Sequence, residues 1–204
     1  MTKSLLASLS TAALLALAPH AQAATVVDTG TPDGNAVGAL AFDAFDWVAG
    51  RVSFAQAAQI GAIQGHILGG AAGETFGVSL FSADGGSGPG TLLYTTTATF
   101  GADGWNGVSG LSGWQVAAGS YWVEFEIQGD DSLGASSVTG ALFDTGAPHP
   151  LPTTAFTSDA GFSYAGSPLS FGLRVSTVPW PASASLMLAG VALLSTLGFT
   201  RRRR

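Results

Sequence analysis

Apolar and polar side chains alternate with a period of two along much of this chain. In Tyr121-Trp122-Val123-Glu124-Phe125-Glu126-Ile127-Gln128, one face takes Tyr121, Val123, Phe125 and Ile127, and the other takes Trp122, Glu124, Glu126 and Gln128. Residues 169–176 repeat the pattern, with Leu169, Phe171, Leu173 and Val175 on one face, and Phe76 to Leu80 does so again. Thr91 to Phe100 is rich in β-branched and aromatic residues, and Ile60 to Leu68 is a further candidate strand. Asp84-Gly85-Gly86-Ser87-Gly88-Pro89-Gly90 is a turn signal, and Ala117 to Ser120 forms the turn that feeds the 121–128 strand. Only Ser53 to Ala62 offers a helix, and it lacks caps. Short strands separated by glycine-rich turns predict an all-β chain, an antiparallel β-sandwich or jelly roll.

Composition narrows the picture. The chain has 204 residues, 29 glycines and only 10% charged side chains, about twice the usual glycine and less than half the usual charge. The body at 24–177 is long enough to bury about 70% of its unfolded surface in one core. With no cysteine there is no disulfide framework, no thiolate metal site and no Cys nucleophile. Lys3 and Arg201 to Arg204 lie at the ends, which leaves Arg51 and Arg174 against all 13 acidic residues, a body of net charge −11. That body has no basic footprint, so nucleic acid is not an expected partner.

The ends read as targeting segments. Lys3, an apolar run from Leu5 to Ala18 and Ala21-Gln22-Ala23 form the n-region, h-region and cleavage site of a signal peptide over 1–23. Its apolar run is too short to span a bilayer. Pro181 to Thr200 is an uncharged, mostly apolar stretch of twenty residues, about 30 Å as a helix and therefore one crossing. Arg201, Arg202, Arg203 and Arg204 follow, and the positive-inside bias places them in the cytoplasm. A plain single-pass surface protein would account for these features.

Val178-Pro179-Trp180-Pro181-Ala182 sharpens the reading, because two prolines spaced i, i+2 forbid helix and present an extended segment just before the span. A proline motif, an apolar helix and a terminal arginine cluster, in that order over 178–204, resemble the PEP-CTERM sorting signal in its V-P-x-P-A form. Trp180 stands where the commonest version has Glu. The resemblance implies an exosortase substrate, cut by an integral-membrane cysteine transpeptidase of a Gram-negative bacterium, with Val178, Pro179, Pro181 and Ala182 as the processing motif. It also implies a place in exopolysaccharide or biofilm assembly. Leu151-Pro152-Thr153-Thr154-Ala155 is similar to the LPxTG sortase signal but lacks its glycine, and is read as a loop. The stretch from Phe76 to Ile127, with Val78 to Ser82, Gly88 to Tyr94, Trp105 and Ala118 to Val123, resembles a module of bacterial surface proteins with varied anchors. That likeness implies a β-sandwich without an assigned activity.

Candidate chemistry is sparse. Ser109 and Ser112 do not fit G-x-S-x-G, and only His66 and His149 remain as imidazole bases after signal cleavage, His149 between two prolines in an exposed loop. Glu124 and Glu126 are the best carboxylate pair, since i, i+2 on a strand puts both on one face at a glycosidase-like separation. The alternative is a wet acidic face beside the aliphatic row. Hard-oxygen donors for a structural Ca2+ occur at Glu74, Asp84, Asp103, Asp130, Asp131, Asp144 and Asp159. No EF-hand or nonapeptide spacing organises them, and their Gly- and Ser-rich surroundings suit Asx turns, so no cofactor is expected. Trp105, Trp114 and Trp122 fall within 18 residues. Exposed, they would stack on sugar rings; buried, they would fill a second sheet face.

Together these features predict a non-enzymatic protein of the envelope or extracellular matrix. The Sec translocon and signal peptidase would export it, an exosortase-type enzyme would process it, and exopolysaccharide would be its partner. A secreted glycan-active hydrolase using Glu124 and Glu126 is the competing expectation.

Overall fold

A computed structural model describes residues 24–178 except 34–38, 85 and 137–139. The signal-peptide segment lies outside the described residues, and so do Trp180, the apolar stretch and, from the sorting and cytoplasmic motifs, Pro179, Pro181, Ala182 and Arg201 to Arg204. No helix among the described residues is long and apolar enough to cross a membrane.

Every described regular element is a strand. In chain order these are β1 (Thr25–Asp28), β2 (Leu40–Phe42), β3 (Trp47–Phe54), β4 (Ala58–Leu68), β5 (Thr75–Ser82), β6 (Leu92–Thr99) and β7 (Gly104–Ser109). They continue as β8 (Gln115–Val116), β9 (Gly119–Glu126), β10 (Ala141–Phe143), β11 (Thr154–Thr157), β12 (Ala165–Ser167) and β13 (Leu173–Val178). All pairings are antiparallel. One sheet runs β1-β13-β4-β10-β2, with β7 and β8 on the other side of β4, and the second runs β12-β11-β3-β9-β5-β6.

The two sheets face each other across one aromatic and aliphatic core, a sandwich-like arrangement. Phe42, Ile60, Ile63, Ile67, Phe143, Leu173 and Val175 enter from the first sheet, and Val48, Val52, Phe76, Val78, Leu80, Val123 and Phe125 from the second. Phe125 is the hub, with ring centroids 5.0 Å from Phe143 and 6.1 Å from Phe171. Gly65 makes room for it: a Cβ there would lie 2.5 Å from Phe143 Cε1 and 3.0 Å from Phe125 Cζ. The alternation seen in the sequence therefore selects the core face of β5, β9 and β13.

Three expectations need correction. The helix proposed over 53–62 is instead the end of β3, a short turn and the start of β4, where Ile60 and Ile63 are wholly buried and point into the core. Uncapped and with Gly61 inside it, the segment gains more from two sheet ladders than from an isolated helix. The 151–155 segment is not all loop, because Thr154 and Ala155 open β11, which pairs with β3 at Gly50 and Ala49. The strand expected at 169–176 begins at Leu173, after a single bridge from Phe171 to Thr145.

The ends of this unit meet along one sheet edge. Thr177 N–H donates to Ala24 C=O at 2.9 Å, and β13 runs to Val178, where Val178 pairs with Gln59.

Candidate functional site

The outer face of the second sheet is a buried layer of its own. β3, β9, β5 and β11 turn Ala49, Trp122, Phe81 and Ala155 outward, and Ala83 and Tyr164 pack on them. Two loops close over this face. The Gly88 backbone abuts Tyr164, where a Cβ would sit 2.5 Å from the Tyr164 Cβ, and Gly161 abuts the Trp47 ring in the same way.

Glu124 and Glu126 lie in this layer, so the wet face expected for them is wrong. Glu124 is 0% exposed and Glu126 7%. Register puts Glu124 between Ala49 and Ser79, and Glu126 beside Gly77. These short neighbours leave space for two long acids, and a Cβ at Gly77 would come within 2.6 Å of Glu126 Cγ. Tyr164 O–H donates to Glu124 Oε1, while Glu124 Oε2 has no hydrogen-bond partner among the described residues. Glu126 accepts from Ser79 Oγ and Gln128 Nε2, both at 2.6 Å. Burial pushes the Glu124 carboxyl up to about 8, against the Tyr164 hydrogen bond that lowers it, with Glu126 adding repulsion. Burial and the adjacent Glu124 hold the Tyr164 phenol above its usual range, so it stays a donor.

The three candidate tryptophans are not brought together. Trp122 is fully buried on the second sheet. Trp114 is 7% exposed and stacks on Tyr94 with centroids 5.2 Å apart. Tyr94 reaches from β6 to the first sheet, donating its hydroxyl to Gln115 C=O at 3.0 Å. Trp105 alone stays half-buried near the surface, on β7 directly across from His66. Arg174 lies 3.8 Å over the Trp105 ring, and the His66 ring meets Trp105 edge-on at 5.3 Å. One ring face is thus occupied by a cation.

His66 Nδ1 also lies 3.3 Å from Asp144 Oδ2, and Arg174 Nε 3.1 Å from Asp28 Oδ1. The row Asp28, Arg174, Trp105, His66, Asp144 crosses the outer face of the first sheet and was not legible in the sequence. Its members come from five segments up to 146 residues apart, although alternation does place Arg174 on the polar face of β13. Ser109 pairs with Ala62, four residues along β4 from His66, about 13 Å away at strand rise. It therefore supplies no hydroxyl to that imidazole. His149 is exposed and lines a cleft of about 330 Å3 with Arg51 and Asp28.

Five of the acids weighed as Ca2+ donors, Glu74, Asp84, Asp103, Asp131 and Asp159, are scattered loop clamps, while Asp144 faces His66. Glu74 accepts from Ala71 N–H at 2.9 Å, Gly134 N–H at 2.8 Å and Ser136 N–H at 3.0 Å, and this donor set holds its carboxyl near 2. Asp159 accepts from Ser163 Oγ at 2.5 Å, Thr157 Oγ1 at 2.6 Å and Ser163 N–H at 2.9 Å, and is likewise held near 2. Asp103 accepts from Gly69 N–H, Asp131 from Gln128 N–H and Asp84 from Thr91 N–H. Among the described residues no three His, Asp or Glu side chains converge as metal ligands.

No family model matches this chain, and a search of curated proteins returns no match.

Proposed function

We propose that this chain is an exported, non-enzymatic protein of the cell envelope or extracellular matrix of a Gram-negative bacterium. Its signal peptide directs it through the Sec translocon, its C-terminal helix stalls it in the inner membrane, and an exosortase-type transpeptidase cuts at Val178-Pro179-Trp180-Pro181-Ala182. The β-sandwich body is then the working part, associated with exopolysaccharide. The targeting half rests on the resemblance of 178–204 to the V-P-x-P-A sorting signal and on the leader pattern of 1–23.

One observation favours a binding or structural body over the hydrolase reading. The carboxylate pair is committed inward: Tyr164 covers Glu124, and Ser79 and Gln128 bond Glu126. A retaining or inverting glycosidase needs both carboxyls open to a sugar ring and, in turn, a water. Four surface clefts of about 250 to 330 Å3 are lined by other residues.

The test is the intact mass and C-terminal peptide of the protein recovered from its native cells and medium. A C-terminus near Val178 to Ala182 that disappears when exosortase is deleted is the expected result. A chain still ending in Arg201 to Arg204 would leave a plain single-pass anchor.

A further inference from the structure

The second sheet ends at β6, and among the described residues no strand pairs with its far side. Phe100 N–H donates to Glu74 C=O at 2.7 Å, and the ladder continues without interruption from Thr99 opposite Thr75 to Tyr94 opposite Leu80. Backbone groups alternate sides along an antiparallel strand. Ala98, Thr96 and Tyr94 therefore turn theirs to β5, and Thr99, Thr97 and Thr95 turn their N–H and C=O groups outward.

Native sheets guard such a row with a lysine, a proline, a bulge or a very short strand. β6 is eight residues long, and no residue between Asp84 and Asp103 is charged. The one slip in its pairing, at Leu93, precedes the regular run from Tyr94 to Thr99. The other free edges differ. β1, β2 and β12 have only four, three and three residues, and β7 is interrupted by Gly104 and Gly107 at φ +126° and +153°. Exposed apolar surface points to the same edge: Leu92 is 49% exposed and Leu93 41%, whereas the other large exposed side chains, Phe45 and Phe162, lie on loops.

What completes a strand edge is a strand, and the chemistry of this one selects its own copy. Sites that add a foreign strand couple the backbone ladder to pockets that read alternate side chains. None of the four clefts is lined by a β6 residue. The edge presents Thr95, Thr97 and Thr99 instead, all exposed on one face. A twofold axis at Thr97 sets Thr97 against Thr97 of the second copy, and Thr95 against Thr99. These are the residues whose backbone groups point outward, so each pair exchanges N–H···O=C bonds in both directions. Threonine opposite threonine is a favourable cross-strand pair. The same register brings Leu92 and Leu93 over the exposed Gly101 and Ala102 of the second copy. In a body this acidic, the uncharged stretch from 85 to 102 lets two copies meet without opposing carboxylates.

We propose that β6 is a self-association edge, through which two copies pair antiparallel at Thr95–Thr99 and join their six-stranded sheets into one continuous sheet. The inference goes beyond the sorting and matrix reading and depends on neither.

Sedimentation velocity of the full-length chain in density-matched mild detergent, over a concentration series, tests it. The parent should sediment as a dimer that dissociates on dilution. T97K and T97E should each weaken the dimer roughly tenfold or more, because the axis sets like charges directly opposite. An equimolar mixture of the two should restore it. T97P should abolish pairing, since proline removes an outward N–H and none from the β5 ladder. Thr97 is exposed, so T97K and T97E should melt with the dissociated parent, which separates lost pairing from lost fold. A parent that is monomeric at every concentration overturns the proposal and leaves the edge to a strand of another protein. T97K or T97E dimerising as the parent does also overturns it, and would place association elsewhere, the C-terminal apolar stretch included. A mixture no tighter than either variant alone overturns the twofold pairing.

Discussion

Glu124 shows how a single position in an alternating strand can carry two meanings. Period-two spacing places it opposite Val123 and Phe125, and in an ordinary sandwich that face meets water. Here Tyr164 covers it and leaves one carboxyl oxygen without a partner, so the charged form is disfavoured and the group titrates near 8. In the unfolded chain it titrates near the usual 4.5. Below that value both states hold the proton and there is no penalty. As pH rises towards 8 the unfolded state alone gives it up, and stability falls, by an amount on the order of 4 kcal/mol. Thermal melts between pH 5 and 8 should therefore show the parent losing stability while E124Q stays nearly flat and melts higher at pH 8. A parent curve with no slope in that window would mean Glu124 is not buried as described.

At the scale of elements, the ladders around β4 do most to define the fold. This strand pairs on both edges, with β13 and β10 on one and β7 and β8 on the other. The close approach depends on Gly107, where a Cβ would fall 2.1 Å from the Ile63 carbonyl oxygen. G107A should push β7 away from β4 and destabilise the protein by about 2–3 kcal/mol. Chemical denaturation, with amide exchange reporting early opening at Trp105 and Val108, checks this; a loss below about 0.5 kcal/mol would sink it. The 76–80 and 121–128 strands were readable from local pattern because their apolar sets recur every second residue, and the 91–100 strand from its β-branched and aromatic content. β3 was not, since Trp47-Val48-Ala49-Gly50-Arg51-Val52 is mostly apolar on both faces and does not alternate. Its burial on both sides, under the core and under Tyr164, explains why. The 53–62 segment failed for the reverse reason, its weak local preference being overruled by long-range pairing.

For the whole molecule, opposing titrations set the working range. Glu74 and Asp159 are held near 2, so the loops they clamp contribute stability above the ordinary carboxylate range that is lost as pH falls through about 2. Glu124 acts in the other direction from about 4.5 upward. The melting temperature should peak in mildly acidic solution, near pH 4 to 5, and decline on both sides. E74A should erode the acid side and speed exchange of the Gly134 and Ser136 amides it binds. A melting temperature that keeps rising to pH 8 would contradict the scheme.

Local pattern was enough to determine that the described body is all-β and antiparallel. The period of two reports which side chains must leave water, and glycine-rich turns report where strands end. The sorting proposal also rests on sequence alone, on the apolar runs near both ends and the terminal arginines, because targeting depends on composition and order along the chain rather than on contacts. Tertiary structure decided which polar positions stay wet. The loops around Gly88 and at 158–164 fold over the second sheet and turn Glu124, Glu126 and Trp122 from surface residues into interior ones. Tyr94 buries Trp114, while Phe45 and Phe162 stay in solvent. Exposure is a property of what packs above a residue, and that neighbour lies tens of residues away: Tyr164 is 40 positions from Glu124, and Phe45 meets Ala160 across the length of the body.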